Sequence, residues 1–328
     1  MLLALVVFAG AAVGRLTIVA RQNTQMAEMV AHLSAEVSRL SQEQAMPAVV
    51  VARHRDSICY IYALYSLKPA PGGRYWRPPR TRVSGTGFVV ADGLIATNRH
   101  VLEPWFDDQE DQAQIRHGAV PKLEKVVAFF PDLVSPVELT DVQVSPGHDL
   151  AVAHFETAAG VNPPPPIPLA ANAAVPGEAV VVVGYPMGVT AMLAKSPRKV
   201  YTRLAYSHET IEIARNLAQQ YLIRPSATYG HLGDVVEDKL IYDAPTAQGG
   251  SGGPVFNSRG EAVGVNAAYI DGFAGGTLGI SVEALKPLIA EAQKPRAVRR
   301  SQPTPPLTAG EESSAGDFKV PVSSNDLR

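Results

Sequence analysis

The chain has 328 residues, of which 46% are hydrophobic, and a formal net charge of −2. A chain of this length holds one large domain or two small ones, with tails. Because there is no basic excess to neutralise phosphates, the charge balance argues against a nucleic-acid-binding protein. The single cysteine, Cys59, excludes an intramolecular disulfide, which separates the chain from small disulfide-stapled secreted scaffolds.

The first segment of the chain is strongly apolar. Residues 1–14 form an uninterrupted apolar run, and residues 16–20 extend it beyond Arg15. A transmembrane helix of about 20 residues is reached only by including Arg15. A signal peptide usually begins with basic residues, and none precedes the apolar run here. Residues 9–11 are nevertheless small enough for cleavage. We predict a signal anchor over residues 1–20, with a cleaved signal peptide as the alternative.

Residues 21–46 are predicted to form a short coiled-coil helix. Its apolar residues recur at alternating spacings of four and three, the heptad pattern of a helix seam: Met26, Val30, Leu33, Val37 and Leu40. Homo-oligomer formation through residues 26–40 is one interpretation. Because little more than two heptads is short for an independent coiled coil, an amphipathic helix lying on the membrane or on the protein body is the other.

From Pro47 the pattern changes to short strands and turns. Residues 48–52 and 58–67 are rich in Val, Ile and Tyr, and residues 91–93 are an Asp-Gly hairpin signal. Residues 75–79 are typical of a loop. The other strands are predicted at 84–90, 93–97, 125–130, 137–144, 150–155, 179–184, 239–243, 255–257, 261–268 and 277–281, with helices at 209–222 and 284–293.

A proline run divides the strand-rich region. Four consecutive prolines cannot join a sheet ladder and form a stiff segment, so residues 162–168 are predicted to link two halves, 47–161 and 169–293. A stretch of helical composition, 187–222, interrupts the second half. Because neither half alternates strands with helices regularly, the predicted fold class is all-β, with two packed antiparallel β-barrels and a C-terminal helix. The tail, 294–328, is predicted to be disordered.

A glycine-rich turn carries the candidate nucleophile. Ser251 lies among four glycines within residues 248–255. Glycine permits backbone conformations and close approaches that a Cβ forbids, so a hydroxyl and neighbouring N–H groups can face one small volume. Acyl transfer needs that arrangement. A flexible Gly/Ser turn is the alternative interpretation.

The order of the histidines excludes one hydrolase architecture. Ser251 also fits the Gly-x-Ser-x-Gly elbow of α/β-hydrolases, in which the histidine follows the serine. All eight histidines precede Ser251, so the α/β-hydrolase order fails, while the order His, Asp, Ser remains open. His100 follows a predicted strand and Asp149 precedes one; Asp141 is the nearby alternative to Asp149. The other histidines lack metal-ligand spacing, so neither a metal nor a cofactor is predicted.

Three ordered segments resemble the catalytic signatures of trypsin-fold serine proteases and are closest to the HtrA/Deg branch. They are residues 96–101 (Ala-Thr-Asn-Arg-His-Val), 148–152 (His-Asp-Leu-Ala-Val) and 249–255 (Gly-Gly-Ser-Gly-Gly-Pro-Val). Residues 85–90 and 260–265 are similar to that branch as well. The resemblance covers roughly residues 48–293, and it implies a trypsin-like domain of two six-stranded barrels.

The resemblance also implies roles for individual residues of the predicted domain, 47–293. Ser251 would be the nucleophile, His100 the general base and then acid, and Asp149 the residue that holds the imidazole in the right tautomer. The N–H groups of Gly249 and Ser251 would form the oxyanion hole.

Specificity is predicted from four further residues. The resemblance places Pro245 and Thr246 in the primary substrate pocket and Ala267 and Ala268 beside the substrate strand. None is charged, so small or medium apolar side chains are expected at the cleaved position rather than Lys or Arg. The expected substrates are exported or misfolded polypeptides, in the bacterial periplasm at the membrane, or outside the cell after signal cleavage.

Some family features are not expected in this sequence. No PDZ-like module is predicted after the barrels, and no zymogen-type N-terminus is indicated. The insert 187–222 is either a helical lid or partner surface near the active site, or an ordinary surface excursion. Three functions stay open: a serine endopeptidase, a catalytically silent binding or scaffold protein, and an esterase on the same fold.

Overall fold

The computed structural model describes residues 2–68, 81–207, 209–269 and 276–294. The predicted loop at 75–79 and the predicted tail beyond residue 294 lie outside these residues. The chain divides into two compact units, Met1–Met46 and Pro47–Arg328. A helix, α1, spans Leu2–His54.

Helix α1 contains the predicted heptad seam. The seam residues are exposed to between 46% and 66%: Met26, Val30, Leu33, Val37 and Leu40. The apolar start of the chain is also helical from Leu2 onward. Across the part of the chain that the structure describes, no helix is sufficiently long and apolar to span a membrane.

The strand predicted at 48–52 is wrong, because these residues continue α1 beyond Pro47. Three successive valines favour a strand locally, but burial follows the helical period instead. Val50 and His54, four residues apart, are 2% and 6% exposed, whereas the adjacent Val49 is 53% exposed. A buried helical face therefore outweighs the β-propensity of the valines.

The first barrel comprises six antiparallel strands among the residues described, in the closed order β1-β2-β3-β6-β5-β4. The strands are β1 (Ile58–Lys68), β2 (Thr81–Ala91), β3 (Leu94–Thr97), β4 (Val120–Phe129), β5 (Val137–Val144) and β6 (Ala151–Phe155). The predicted Asp-Gly turn joins β2 to β3, with Gly93 at a φ of +66°. The hairpin prediction is therefore confirmed.

The second barrel closes in the order β10-β11-β12-β9-β8-β7, again with six antiparallel strands in the described ranges. The strands are β7 (Ala179–Gly184), β8 (Ser226–Val236), β9 (Lys239–Tyr242), β10 (Pro254–Phe256), β11 (Ala262–Tyr269) and β12 (Thr277–Ser281). β8 was not predicted, because it contains two glycines and few large apolar residues; pairing with β7 and β9 supplies its hydrogen bonds. The predicted fold class, two six-stranded antiparallel barrels, is confirmed.

The remaining helices are short. They are α2 (Arg99–Leu102), α3 (Gln109–Arg116), α4 (Gly188–Ala194), α5 (Arg198–Leu204), α6 (Thr210–Ala218) and α7 (Val282–Ala292), with a 3₁₀ turn at Arg55–Ser57. α4, α5 and α6 occupy the predicted insert, which we call the helical insert (187–222). α7 begins two residues before its predicted start, since the Ser281 hydroxyl accepts a hydrogen bond from Glu283 N–H and caps the helix.

The segment that contains the proline run is hydrogen-bonded to both barrels just beyond the prolines. Ile167 N–H donates to the Val89 carbonyl of β2 at 2.8 Å. Ala170 N–H donates to the Ala262 carbonyl of β11 at 2.9 Å. The connection is therefore fixed at each barrel by a backbone hydrogen bond.

His54, at the end of α1, is buried within the second unit. Its ring stacks on Phe256, with centroids 5.1 Å apart and an interplanar angle of 14°. Burial lowers the pKa of His54 below its ordinary value of 6.5; the Arg53 charge lowers it further, and the Gly260 backbone opposes the shift. The folded state therefore binds a proton at His54 less readily than the unfolded state, in which the imidazole takes one up below about pH 6.5.

We expect the free energy of unfolding to fall as the pH drops from 7.5 to 5.5, and we expect His54→Phe to reduce this fall. Phenylalanine retains the stacking on Phe256 and cannot bind a proton. Urea unfolding at both pH values measures the effect. The exposed His117→Phe is the control, and an equal pH dependence in wild type and His54→Phe would contradict the prediction.

Candidate active site

His100 and Asp149 meet at one end of the first barrel. His100 is in α2, directly after β3, and Asp149 lies just before β6, which pairs with β3. The imidazole Nδ1 is 2.7 Å from Asp149 Oδ2, and the His100 backbone N–H donates to Oδ1 at 2.9 Å. Asn98 Nδ2 donates to the Asp149 carbonyl at 2.8 Å. A proton on Nδ1 leaves Nε2 able to accept one from a nucleophile.

Asp141, the alternative carboxylate, lies elsewhere. Its Oδ2 is 4.0 Å from His154 Nε2, and its backbone has a φ of +49° within β5. Asp149, rather than Asp141, is therefore the carboxylate placed against His100.

A further carboxylate, Asp107, lies near the pair in the loop after α2. Burial raises the pKa of Asp107; the charge on His100 opposes this rise and that on Asp149 adds to it. Arg99 packs on the neighbouring Phe106 ring, with its guanidinium carbon 4.1 Å from the centroid. Among the residues described, no group of three His, Cys, Asp or Glu side chains could hold a metal ion.

Ser251 comes from the second barrel, in the turn before β10. Its carbonyl accepts a hydrogen bond from Thr86 N–H of β2 at 2.8 Å, which ties the serine turn to the first barrel. Its hydroxyl donates to the Ala267 carbonyl at 3.0 Å rather than to His100. The Ser251 hydroxyl has one proton, so it must leave the Ala267 carbonyl before it can donate to an imidazole. Such catalytic contacts often tighten only when substrate is bound.

The carbonyl groups around Ser251 are held in fixed directions. Gln248 accepts from Met187 N–H at 2.6 Å, and Gly250 accepts from Asn266 Nδ2 at 2.9 Å. Because the C=O and N–H of a trans peptide point in opposite directions, the N–H groups that follow these carbonyls face away from those partners.

The two N–H groups that follow these carbonyls belong to Gly249 and Ser251. Within the described chain, neither of them donates a hydrogen bond to a protein acceptor. Gly249 adopts a φ of +92°, which favours glycine. The turn therefore presents two unpaired backbone donors, which is the kind of group that stabilises an oxyanion.

Thr86, to which the sequence analysis gave no role, connects the barrels at this turn. Its side chain is fully buried. Oγ1 donates to the Gly249 carbonyl at 2.8 Å and accepts from Tyr185 N–H at 3.0 Å. Its own carbonyl accepts from Thr97 Oγ1 at 2.7 Å. A polar residue between two glycines, ahead of the candidate histidine, was the available signal in the sequence.

We expect Thr86→Val to lower the free energy of unfolding by about 1–3 kcal/mol, because it leaves a buried carbonyl and a buried N–H without partners. Thr86→Ser keeps the hydroxyl, so its free energy of unfolding should fall by less. Urea unfolding of both variants measures the difference. Equal stability of the valine and serine variants would show that the hydroxyl is not the connecting group.

The four predicted pocket residues flank the serine turn. Thr246 Oγ1 accepts from Asn266 Nδ2 at 3.1 Å, and Ala267 sits at a register shift of β11 with its carbonyl against the Ser251 hydroxyl. Pro245 and Ala268 are exposed. Asn266, which the sequence analysis also missed, therefore connects this predicted pocket to the turn.

The sequence matches the trypsin-like peptidase domain family over residues 85–265, more than half of its length. The chain belongs to that family.

Several relatives are named serine proteases. Serine protease Rv3671c of Mycobacterium tuberculosis is 28% identical over 183 residues, 56% of this chain and 35% of that protein. Putative serine protease HhoA of Synechocystis sp. is 29% identical over 198 residues, 58% of this chain and 39% of that protein. A probable periplasmic serine endoprotease DegP-like of Chlamydia pneumoniae is 27% identical over 235 residues, 71% of this chain and 38% of that protein. The resemblance to the HtrA/Deg branch is thereby confirmed.

The chain spans only 35% to 39% of the length of these curated relatives. Among solved structures, the active form of Rv3671c protease from M. tuberculosis is similar at a TM-score of 0.48 and 21% identity. That match covers 75% of this chain and 85% of the other.

Proposed function

We propose that the protein is a serine endopeptidase that hydrolyses peptide bonds through His100, Asp149 and Ser251. The observation that carries the proposal is the 2.7 Å contact between His100 Nδ1 and Asp149 Oδ2, in a chain whose serine turn presents two unpaired N–H groups. This is the set of groups that acyl transfer needs: an oriented base, a nucleophile and oxyanion donors.

The proposed reaction has two halves. His100 takes the proton of the Ser251 hydroxyl as the oxygen attacks the scissile carbonyl, and it then gives that proton to the leaving amine. Asp149 holds the imidazole through Nδ1 and stabilises its charged form. The N–H groups of Gly249 and Ser251 stabilise the oxyanion. Water, activated by the same histidine, then releases the acyl group from Ser251.

The substrate proposal rests on the uncharged pocket. Pro245, Thr246, Ala267 and Ala268 offer no carboxylate to a basic side chain. A small or medium apolar residue is therefore the proposed preference at the cleaved bond. The proposed substrates are exported or misfolded polypeptides.

The proposed location is outside the cytoplasm, at the membrane. The apolar residues 1–14 support an N-terminal attachment, and two named relatives are described as probable periplasmic endoproteases. The exposed heptad seam of α1 supports association of copies through residues 26–40. Cell fractionation and chemical cross-linking test these two points separately.

One observation favours a second candidate, a catalytically silent binding protein. The Ser251 hydroxyl is held by Ala267 and not by His100. In such a protein the barrels would dock peptides without cleaving them. An esterase on the same fold would use the same groups as the protease.

Labelling with a fluorophosphonate probe tests the proposed function. We expect wild type to be labelled and Ser251→Ala to be unlabelled, because the probe requires an activated serine hydroxyl. Casein cleavage by the labelled protein would then distinguish a protease from an esterase. Absence of Ser251-dependent labelling in wild type would favour the binding protein.

A further inference from the structure

The exposed heptad seam of α1 is narrow. Its five residues are between 46% and 66% exposed: Met26, Val30, Leu33, Val37 and Leu40. A helix that packs on a globular body carries a broader apolar face, whereas apolar residues confined to two positions of each heptad are typical of a coiled coil. The residues that border the seam are mostly polar or small: Ala27, Ser34 and Ser41 on one side, and Met29, Glu36 and Glu43 on the other. The seam therefore has the width of a contact with another helix.

The charge of this segment argues against a membrane surface as the partner of the seam. Between residues 22 and 46 the sequence has three glutamates, one arginine and no lysine. The arginine, Arg39, is paired within the helix: its guanidinium lies 2.7 Å from Glu36 Oε1 and 2.8 Å from Glu43 Oε1. Helices that lie on membranes carry Lys and Arg on the polar face, which anionic lipids attract. Because a second copy of the seam needs no such cations, it is the better match.

The residue types in the seam indicate how many copies associate. In heptads lettered a to g, Val30 and Val37 occupy position a. Position d holds Met26, Leu33 and Leu40. In parallel coiled coils, β-branched residues at a with leucine at d favour two strands over three or four. The seam therefore matches a parallel dimer.

Asn23 extends the seam and supplies a polar position within it. It lies seven residues before Val30, at position a, and it is exposed. A single asparagine at a fixes register and oligomeric state, because its amide needs a partner once the seam is covered, and the same amide of an aligned, parallel chain provides one. Parallel chains also place Glu36, at position g, beside Ser41 at position e of the second copy, so no like charges meet there.

We propose that residues 23–40 form a parallel, two-stranded coiled coil with the same residues of a second copy, aligned at Asn23. This dimer rests on the association of copies in the proposed function, to which it adds the number of chains, their direction and their register. Because parallel chains start at the same end, the apolar residues 1–14 of both copies lie together and attach the dimer to one membrane. Formation of the dimer does not depend on the activity of Ser251.

Disulfide formation in the full chain tests the direction and the register. In detergent under mild oxidation, Leu33→Cys and Val37→Cys should each link to their own copies in most of the chains. Aligned helices bring equivalent Cα atoms within the range of about 7 Å that a disulfide spans. Gln42→Cys is the matched control, since Gln42 is exposed on the same helix but lies at position f, away from the seam. Native Cys59 is fully buried, and burial raises the pKa of its thiol, so it does not interfere.

Three outcomes would disprove the parallel arrangement. A disulfide between Met26→Cys and Val37→Cys, without one between copies of either variant, would show antiparallel chains. Linking of Gln42→Cys to the same extent as Val37→Cys would show random collision. Absence of any disulfide in the seam variants would show that the copies do not associate there.

Sedimentation equilibrium in detergent tests the number of chains. Wild type should be a dimer, and Leu33→Asp, which places a charge in the seam, should be a monomer, whereas Gln42→Asp should stay a dimer. Asn23→Val should add larger species, because the residue that selects two strands is lost. A monomeric or trimeric wild type, or a purely dimeric Asn23→Val, would overturn the proposal. If fluorophosphonate never labels Ser251, the proposed endopeptidase fails, while the cross-links still decide whether the dimer forms.

Discussion

Replacing Asp149 with asparagine is expected to lower kcat/KM about ten-thousandfold, the size of effect that loss of the correct histidine tautomer produces. The amide oxygen would keep the hydrogen bond that Oδ1 accepts from the His100 backbone N–H at 2.9 Å. The amide nitrogen would then face Nδ1 as a donor. This selects the imidazole with its proton on Nε2, which cannot accept a proton from Ser251. Steady-state cleavage of casein-derived peptides measures the loss.

Asp141→Asn is the matched control for this prediction. Asp141 is also close to a histidine, with 4.0 Å between Asp141 Oδ2 and His154 Nε2, and the substitution removes the same charge. We expect its kcat/KM to stay close to that of wild type. If Asp141→Asn loses as much activity as Asp149→Asn, net charge rather than histidine orientation is responsible, and the assigned role of Asp149 is wrong.

Gly249→Ala is expected to reduce kcat roughly a hundred- to a thousandfold, the effect of losing one oxyanion donor. A Cβ at this position would lie 2.7 Å from the Tyr185 carbonyl oxygen, and the backbone has a φ of +92°. The backbone must shift to relieve this contact, and the shift changes the direction in which the Gly249 N–H points. Labelling rates and peptide turnover both report the change.

Gly177→Ala separates this effect from ordinary backbone strain. Gly177 has a φ of +89°, and a Cβ there would meet nothing within 4 Å. Both variants therefore carry the cost of a left-handed alanine and should lose similar stability from that source. Only Gly249→Ala should also have a lower kcat. Comparable kinetics in the two variants would contradict the oxyanion assignment.

Much of the fold was predictable because its strands are apolar and bounded by turns. β5, β7 and β12 have the predicted bounds, since each is a short run of β-formers next to glycine, proline or a capping serine. Two failures have physical causes. β8 forms because it pairs with neighbouring strands, although its own composition does not favour a strand. The valines within residues 48–52 continue helix α1, and their local β-propensity does not reveal this.

The candidate site was predictable only in part. The order of His100, Asp149 and Ser251 is visible in the sequence, because each lies in a motif of its own. Their supporting contacts are not visible, since they join distant segments. Thr86 and Gly249 are 163 residues apart in the sequence. Met187, which donates a hydrogen bond to Gln248, is separated from it in the sequence by the rest of the helical insert. The first pair forms only when the two barrels are packed together, and the second forms only when the second barrel closes.

The contact between the Ser251 hydroxyl and the Ala267 carbonyl has a consequence for the order of events on the enzyme. Ala267 belongs to the strand proposed to lie beside the substrate. A substrate N–H that pairs with this strand at Ala267 would compete with the Ser251 hydroxyl for the same carbonyl oxygen. We infer that a bound peptide releases the hydroxyl as it docks, so that substrate arrival sets the nucleophile free. Small reagents without such an N–H meet a serine that is still restrained, and they should report a lower reactivity than peptide substrates do.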